Sequence, residues 1–467
     1  MMLAIGGITV FSTGAFVEKR SKHLLFILTF ITFLAALVGA LLSDGGTATF
    51  IRMLDVGSYA RFFNVLFALA ALLFLCFSHQ HAGLQPVRRD EFYGLAIFAV
   101  LGMSLTANAE NWLIFFLGFE LLSLSFYVLI TLCRNDPLGN EAALKYMIMG
   151  MVAGGFLVFG IAMFYAASGS LDMTESLGAS GKPVNASLSL LALGLILAAV
   201  GFKISLVPFH LWTPDVYQGT PSPVTALLTT GSKIAVFAAW LRITLMMSDW
   251  LWAHCVPVIW VIAAATMFAG NITALAQTNL KRLLAYSSIA QMGYLFMTML
   301  AVRSEGGVIA VIFYFVVYTL MDMGAFGIIA TFCSGSGKEM DDLNRYQGMG
   351  YTHPWQAAIL TLCLLSLAGL PPTAGFMGKF IIFKAVLQAR YIGLAILGIV
   401  AACLSLFVYL KVLSTIYMQP AAMKMDCPVS SFGMAARCAT AVILFGILWL
   451  GMFPSSLLTV IARAAVL

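Results

Sequence analysis

Runs of about twenty apolar residues with almost no charge recur along the whole chain, as in "HLLFILTFITFLAALVGALL" (23–42) and "SLSLLALGLILAAV" (187–200). A helix needs about 20 mostly apolar residues to cross the hydrocarbon of a bilayer, where only helices and closed barrels can satisfy their backbone. Alternating strand patterns of about ten residues are absent, which argues against an outer-membrane barrel. Charged residues make up 9% of the 467, against about 25% in soluble domains. The chain therefore reads as an all-α polytopic membrane protein. Candidate spans are 1–17, 24–43, 62–78, 92–108, 112–133, 141–167, 187–207, 222–247, 251–276, 282–302, 307–333, 355–387, 391–418 and 432–460, fourteen in all. The N-terminus is apolar first and basic after, the reverse of a secretory signal, and predicts a short first transmembrane helix.

Several function classes drop out at this level. The formal charge of +6 is spread between apolar runs and forms no basic stripe, so nucleic acid is not an expected partner. The eight cysteines are dispersed, without a CxxC pair, and support neither an iron–sulfur cluster nor a zinc site. No GxGxxG after a strand, Walker A or HExxH sequence is present. Nucleotide, flavin and metal-cluster binding are not expected in this chain, and any redox chemistry belongs elsewhere. Lys and Arg bias sets orientation. Twelve basic residues (Lys19, Arg20, Lys22, Arg88, Arg89, Arg134, Lys281, Arg282, Lys338, Arg345, Lys424, Arg437) fall in one set of connections and seven (Arg52, Arg61, Lys182, Arg242, Arg303, Arg390, Arg463) in the other. That puts both termini on the outer, periplasm-like side.

Two helices carry interruptions: the seventh at "KISLVPFHLWTPDVYQGTPSP" and the twelfth at "LSLAGLPPTAGFMGKF". Proline removes a donor and clashes with the preceding turn, so both should open. Pro208 and Pro371 lie 163 residues apart. Paired broken helices in corresponding halves mark internal repeats with a site at the break. Five helices per repeat is an odd number, so successive repeats must be inverted. The expected organisation is a three-helix segment (1–91), two inverted five-helix repeats (92–250 and 251–418) and a last helix (419–467).

An ionisable group at the bilayer centre costs about 2.5–3.5 kcal/mol on insertion scales. Lys145, Lys203, Lys233, Lys379, Lys384 and Lys411 nonetheless fall inside spans, as do Glu120 and Asp322. Lysines near helix ends can snorkel to headgroups, which suits Lys384 and Lys411 and less clearly Lys145. Glu120 and Lys233 are mid-span, while Lys203 and Lys379 flank the breaks. Burial disfavours a charge and an opposite charge restores it, so a buried lysine beside a movable carboxylate can be switched between protonation states. Glu120 and Lys145, on consecutive helices, form the expected pair, with Lys203, Lys233 and Lys379 as further stations. His210 is either a relay member or a cap on the opened backbone. Gln291, Tyr286 and Tyr294 can hold water. Asp322 is either protonated, and cheaply replaced by Asn, or paired with a lysine of another helix. The "HQH" at 79–81 reads as solvated loop.

"GFKISLVPFHLWTPDVYQGTPSPV" with "SKIAVF", "QTNLKRLLAYSSIAQMGY" and "LAGLPPTAGFMGKF" resembles the antiporter-like subunits of respiratory complex I, and among them the smallest of the three large bacterial ones. The similarity runs from about residue 90 onward. It implies a proton-translocating membrane-arm subunit of the bacterial inner membrane, with other complex I subunits and lipids as partners. NADH, FMN, iron–sulfur clusters and quinone would then reside in other subunits. The family's proton-handling residues fall on Glu120, Lys145, Lys203, Lys233 and Lys379. Gln291 stands where many relatives have His, Asp322 where a small polar residue is usual, and the N-terminus is short. Three alternatives stay open: a subunit of a multisubunit Na+/H+ antiporter or membrane-bound hydrogenase, a solute transporter, and a scaffold whose charges only fix helix register.

Overall fold

In the computed structural model of the chain the described residues are all but 17–21, 44–52, 80, 82–83, 85–88, 133–135, 179–184, 333–338, 419–432 and 465–467. The basic residues Lys19, Arg20, Arg52, Arg88, Arg134, Lys182, Lys338 and Lys424, used above for orientation, lie outside them. The long helices are α1 (Met2–Phe16), α2 (Lys22–Leu42), α3 (Ser58–Ser78), α4 (Arg89–Ala107), α5 (Trp112–Thr131), α6 (Pro137–Ser168), α7 (Ala186–Lys203) and α8 (Trp212–Gly219). There follow α9 (Ser222–Met246), α10 (Asp249–Leu275), α11 (Leu280–Ala301), α12 (Gly307–Ile329), α13 (Pro354–Ala368), α14 (Ala374–Gln388), α15 (Ile392–Tyr417), α16 (Met434–Met452) and α17 (Ser455–Ala464). Among the described residues there is no strand beyond isolated bridges.

Twelve of these helices are long and apolar enough to cross a membrane. The short α1 and the interrupted pair α13–α14 bring the passages to the expected fourteen. Both expected breaks are present: α7 stops at Lys203 and α8 starts at Trp212, and α13 stops at Ala368 and α14 starts at Ala374. A further break, between α16 and α17, follows from Pro454 and divides the expected single span 432–460. Local chemistry sets the ends. Asn111 and Asn279 cap α5 and α11 through their side-chain oxygens, and Pro137 opens α6 while Gly169, at φ 73°, closes it, each in its preferred position.

The inverted halves can be matched residue by residue. Trp112 N donates to Leu171 O and Met173 N to Glu110 O; Leu280 N donates to Asp341 O and Leu343 N to Thr278 O. Each junction carries one antiparallel bridge, Asn111 with Asp172 and Asn279 with Asp342. A Cβ on Gly102 of α4 would lie 2.6 Å from Leu122 N and 3.0 Å from Gly118 O, and one on Gly270 of α10 would lie 2.6 Å from Ala290 N and 2.8 Å from Tyr286 O. All of these α4–α5 positions recur 168 residues later in α10–α11. The two junctions lie at opposite ends of the bundle. One is at the end that holds the described termini, beside the Leu177–Ser248 contact; the other is beside Thr220 and Ser222.

Between the halves runs α9, buried without exception from Ser222 to Thr244. It packs against α3, α4, α7 and α12. A π-helical turn, Leu228–Ser232, interrupts it immediately before Lys233; such turns inside α-helices recur at functional sites.

The two tight crossings generate a test. Gly102→Ala and Gly270→Ala should each lower the thermal midpoint of the detergent-purified protein, at about 1–3 kcal/mol of overpacking. Gly155→Ala, mid-helix with nothing within 4 Å of its Cβ, should not lower the midpoint and should raise it slightly, by about 0.5–1 kcal/mol of helix propensity.

Candidate functional site

The first break positions Lys203 as the last residue of α7. The opened backbone is satisfied from other elements: Val207 N donates to Thr266 Oγ1 (3.1 Å) and Trp212 Nε1 to Phe202 O (2.9 Å), while the side chains of Thr213 and Ser205 bond each other (2.8 Å). Polar backbone inside a membrane survives only with such partners. Lys203 Nζ donates to Ser123 Oγ at 2.8 Å. It stands 4.9 Å from the Tyr146 ring centroid, 5.4 Å from Phe119 and 5.7 Å from Tyr127, within the reach of cation–π attraction. Glu120, three residues before Ser123 on α5, is its Coulombic partner. Gly154 of α6 makes room for that carboxylate, since a Cβ there would sit 2.5 Å from Glu120 Oε1.

Lys233 follows on α9. Its Nζ donates to Ser288 Oγ at 2.8 Å and lies 5.2 Å from the Tyr217 ring centroid. Ser288 is 2.7 Å from Tyr318 Oη, which is 2.7 Å from Thr229 Oγ1, which donates to Asp322 Oδ2 at 2.8 Å. Asp322 is therefore not a lone carboxylate; Lys233 is its charged partner. The hydroxyls of Tyr146, whose ring lies beneath Lys203, and of Ser232, next in sequence to Lys233, are both buried and without a hydrogen-bond partner among the described residues. Buried hydroxyls are ordinarily satisfied by protein or water.

The second break holds Lys379. Its Nζ donates to Leu367 O (2.8 Å) and Ala368 O (3.0 Å), the final carbonyls of α13, where the helix dipole favours a cation. Leu367 O also accepts from Gln291 Nε2 at 3.1 Å. Gln291 further donates to Tyr409 Oη (3.3 Å) and accepts from Tyr314 Oη, and Tyr409 is bonded to Ser287. The chain of contacts from Lys379 thus reaches Ser287, next in sequence to the Ser288 that holds Lys233. Lys203, Lys233 and Lys379 are all buried.

Several expectations need correction. Glu120 faces Lys203, not Lys145. Lys145 sits nearer the end of the bundle, half-exposed, where Asp215 Oδ2 and Glu141 Oε1 each lie 2.8 Å from its Nζ. A helix pair adjacent in sequence was a poor guide here, because the break turns Lys203 back toward α5. Lys384 is exposed as expected, whereas Lys411 caps the carbonyls of Leu275 and Gln277 at 2.9 Å each. His210 is half-buried at the first break with Nδ1 unpartnered. Tyr294 accepts from Asn271 and lies under Lys379. His81 is not solvated loop but buried.

The residues missed in the sequence are hydroxyls: Ser123, Ser288, Thr229, Tyr318 and Tyr409. A signal was present, since Glu120/Ser123, Ser288/Gln291, Thr229/Lys233 and Tyr318/Asp322 are spaced three or four apart, on one helix face each.

His81 belongs to a second polar cluster, at the end of the bundle away from the described termini. Glu339 Oε1 is 2.6 Å from His81 Nε2 and accepts from Ser222 N (2.7 Å); Oε2 accepts from Ser222 Oγ and Lys281 Nζ, both at 2.7 Å. Lys281 also donates to Thr220 O at 2.6 Å. This carboxylate ties the starts of α9 and α11 to the segment that leads into α4. Burial pushes the Glu339 carboxyl up, but Lys281 and His81 outweigh it and hold it well below its ordinary value of 4.5. Its stabilisation is therefore present above about pH 4.5 and fades as the pH falls below that. Glu339→Gln should cost about 3–5 kcal/mol at pH 7, as expected for breaking a buried pair. The gap in melting temperature from the parent should narrow on acidification below about pH 4.5. Detergent-phase melts of both proteins between pH 7 and pH 4 check this.

Over residues 109–405 the chain matches the family described as NADH:quinone oxidoreductase/Mrp antiporter, transmembrane. It is 45% identical to NADH-quinone oxidoreductase subunit N 1 of Solidesulfovibrio magneticus over 407 residues, 86% of either chain. A chain of respiratory complex I from Thermus thermophilus with bound aureothin superposes with TM-score 0.83 at 33% identity, covering 98% of each. A chain of the Mrp complex from Dietzia sp. DQ12-45-1b has the same fold, at TM-score 0.83 and 21% identity over 99% of this chain and 96% of that one.

Proposed function

The chain belongs to the NADH:quinone oxidoreductase/Mrp antiporter transmembrane family, and on that premise we propose that it moves protons through the membrane arm of an NADH:quinone oxidoreductase as its subunit N. The observation that carries the reading is the set of three buried amines, Lys203, Lys233 and Lys379, each held by hydroxyls or free helix-end carbonyls and accompanied by Glu120 and Asp322. In a medium of low dielectric a small displacement between carboxylate and ammonium changes the energy of the charged state strongly. A shift of α5 against α7 would loosen or tighten the proton on Lys203; the hydroxyls then offer the next acceptor. Lys145, with Asp215 bridging it to Arg282 of α11 (2.7 Å), supports a feeding site at the bundle end, and His210 stands at the first break.

Electron transfer belongs to other subunits under this reading, with NADH, FMN, iron–sulfur clusters and quinone bound there. Among the described residues no group of three or more His, Cys, Asp or Glu is placed to hold a metal ion. The apolar outer face of α6, with Leu144, Ile148, Met151, Val152 and Phe159 exposed, supports contact with lipid or with neighbouring subunits. We place the protein in a bacterial inner membrane with both termini periplasmic, and the repeats at 92–250 and 251–418. For the antiporter and hydrogenase alternative, the Mrp relative shares the fold but stands at 21% identity, against 45% and 33% for two oxidoreductase relatives.

Lys203→Ala should leave the amount of protein in the membrane unchanged while cutting proton-coupled quinone reduction about tenfold or more, a loss of some 1.4 kcal/mol or greater. Glu120→Gln should act in the same direction. Proton translocation per NADH by the reconstituted complex decides; wild-type stoichiometry in Lys203→Ala would refute the reading and support a scaffold.

A further inference from the structure

We infer that Asp322 is the second working carboxylate of the axis, coupled to Lys233 through Ser288, Tyr318 and Thr229, and that it replaces the glutamate which the second repeat lacks. The inference rests on the proton-transfer reading above and adds a named pair to it. Positions in α4–α5 recur 168 residues later in α10–α11, as the Gly102 and Gly270 crossings and the Asn111 and Asn279 junctions show. In that register Glu120 corresponds to Ser288 and Ser123 to Gln291. The first half therefore sets a carboxylate on α5 against its lysine, and the second half sets a hydroxyl there.

A lysine buried without a counter-charge is costly, and so is a carboxylate. Lys233, on α9 of the first repeat, meets that cost across the repeat boundary, with Ser288 of α11 and a carboxylate from α12. Asp322 is buried, with Lys233 as its oppositely charged neighbour. The link is continuous: Lys233 Nζ to Ser288 Oγ 2.8 Å, Ser288 to Tyr318 Oη 2.7 Å, Tyr318 to Thr229 Oγ1 2.7 Å, Thr229 to Asp322 Oδ2 2.8 Å. Thr229 lies within the π-helical turn and Lys233 directly follows it, so a change in that turn would alter both ends of the link together.

The step balances. Lys233 gives one N–H proton to Ser288 Oγ, whose own hydroxyl proton passes to Tyr318 Oη. The Tyr318 proton passes to Thr229 Oγ1, and the Thr229 proton to Asp322 Oδ2. An ammonium–carboxylate pair becomes an amine and a carboxylic acid with no net charge moved off the bridge. Asp322 then stores the proton until it returns over the same bridge to the neutral Lys233, which, an ammonium again, can pass it on toward the Gln291–Lys379 side.

The test uses the assembled complex in native membranes, with intact complex quantified by native gel electrophoresis. Asp322→Asn and Lys233→Gln should each slow proton-coupled quinone reduction about tenfold, and the double variant should be no slower than the worse single within about twofold, because coupled sites are non-additive. Asp322→Glu should recover at least about half of the parental rate, which a merely packing role would not predict, since an extra methylene in a filled core disturbs packing. Asp322→Asn at the parental rate beside a slow Lys233→Gln, or a double variant at the product of the single effects, overturns the pairing while leaving the axis intact. A parental rate in Lys233→Gln would instead overturn the axis itself. Ser288 Oγ also lies 3.3 Å from Thr229 Oγ1, so if Asp322→Asn does not assemble, the double variant Tyr318→Phe/Thr229→Val, which removes both hydroxyls between Ser288 and Asp322, must slow turnover; a parental rate there overturns the proposal.

Discussion

An ammonium group held inside hydrocarbon needs a partner for each of its protons and for its charge, and the architecture is arranged around meeting that need three times. Lys203 uses a serine, three aromatic rings and Glu120. Lys233 uses a serine and a hydroxyl bridge to Asp322. Lys379 uses the bare carbonyls at the end of α13. These are three distinct solutions, and none fixes the proton as firmly as a direct, isolated ion pair would. Charges held in this way can be retained or released by modest movements of the groups that hold them.

The broken helices are what make such holding possible. An unbroken helix spends its carbonyls internally; α13, cut at Ala368, has two left for Lys379. At the first break freed backbone groups are taken by Thr266 and Trp212, so that the chain can turn without exposing them to lipid. The ends of the bundle are held differently, by full ion pairs. Arg242 meets Glu110 at 2.9 Å near one end, and Glu339 gathers Lys281, His81 and Ser222 near the other. Firm pairing at both ends and loose, relayed pairing in the middle is the arrangement expected of a conductor anchored at its rims.

Much of this was legible in the sequence, for reasons that differ by element. Span number followed from the length an apolar helix needs, and the two interior breaks from prolines beside polar residues. The break before α17 was missed because one Pro454 in an apolar run gave no second cue. Lys203, Lys233 and Lys379 stood out because a charge in an apolar run is costly. Their partners did not: serine and threonine are common in membrane helices, and their role depends on which neighbour they face. The pairing of Glu120 failed for a related reason, since adjacency in sequence says nothing about where a broken helix returns. The repeat was suggested by the paired breaks and the spacing of their prolines, yet its register of 168 residues emerges only from backbone contacts such as those of Gly102 and Gly270. His81 and Glu339 are 258 residues apart, a separation across which no local pattern points.

The central claim is that the three lysines share one wet, protein-lined path. A cryo-electron-microscopy map of the assembled complex, at a resolution that shows ordered solvent, addresses it directly. The account predicts water bound to Tyr146 Oη and Ser232 Oγ, closing the interval between Lys203 and Lys233 so that polar contacts run unbroken from Glu120 to Lys379. Apolar side chains packed dry across that interval, with both hydroxyls turned to other partners, would contradict it.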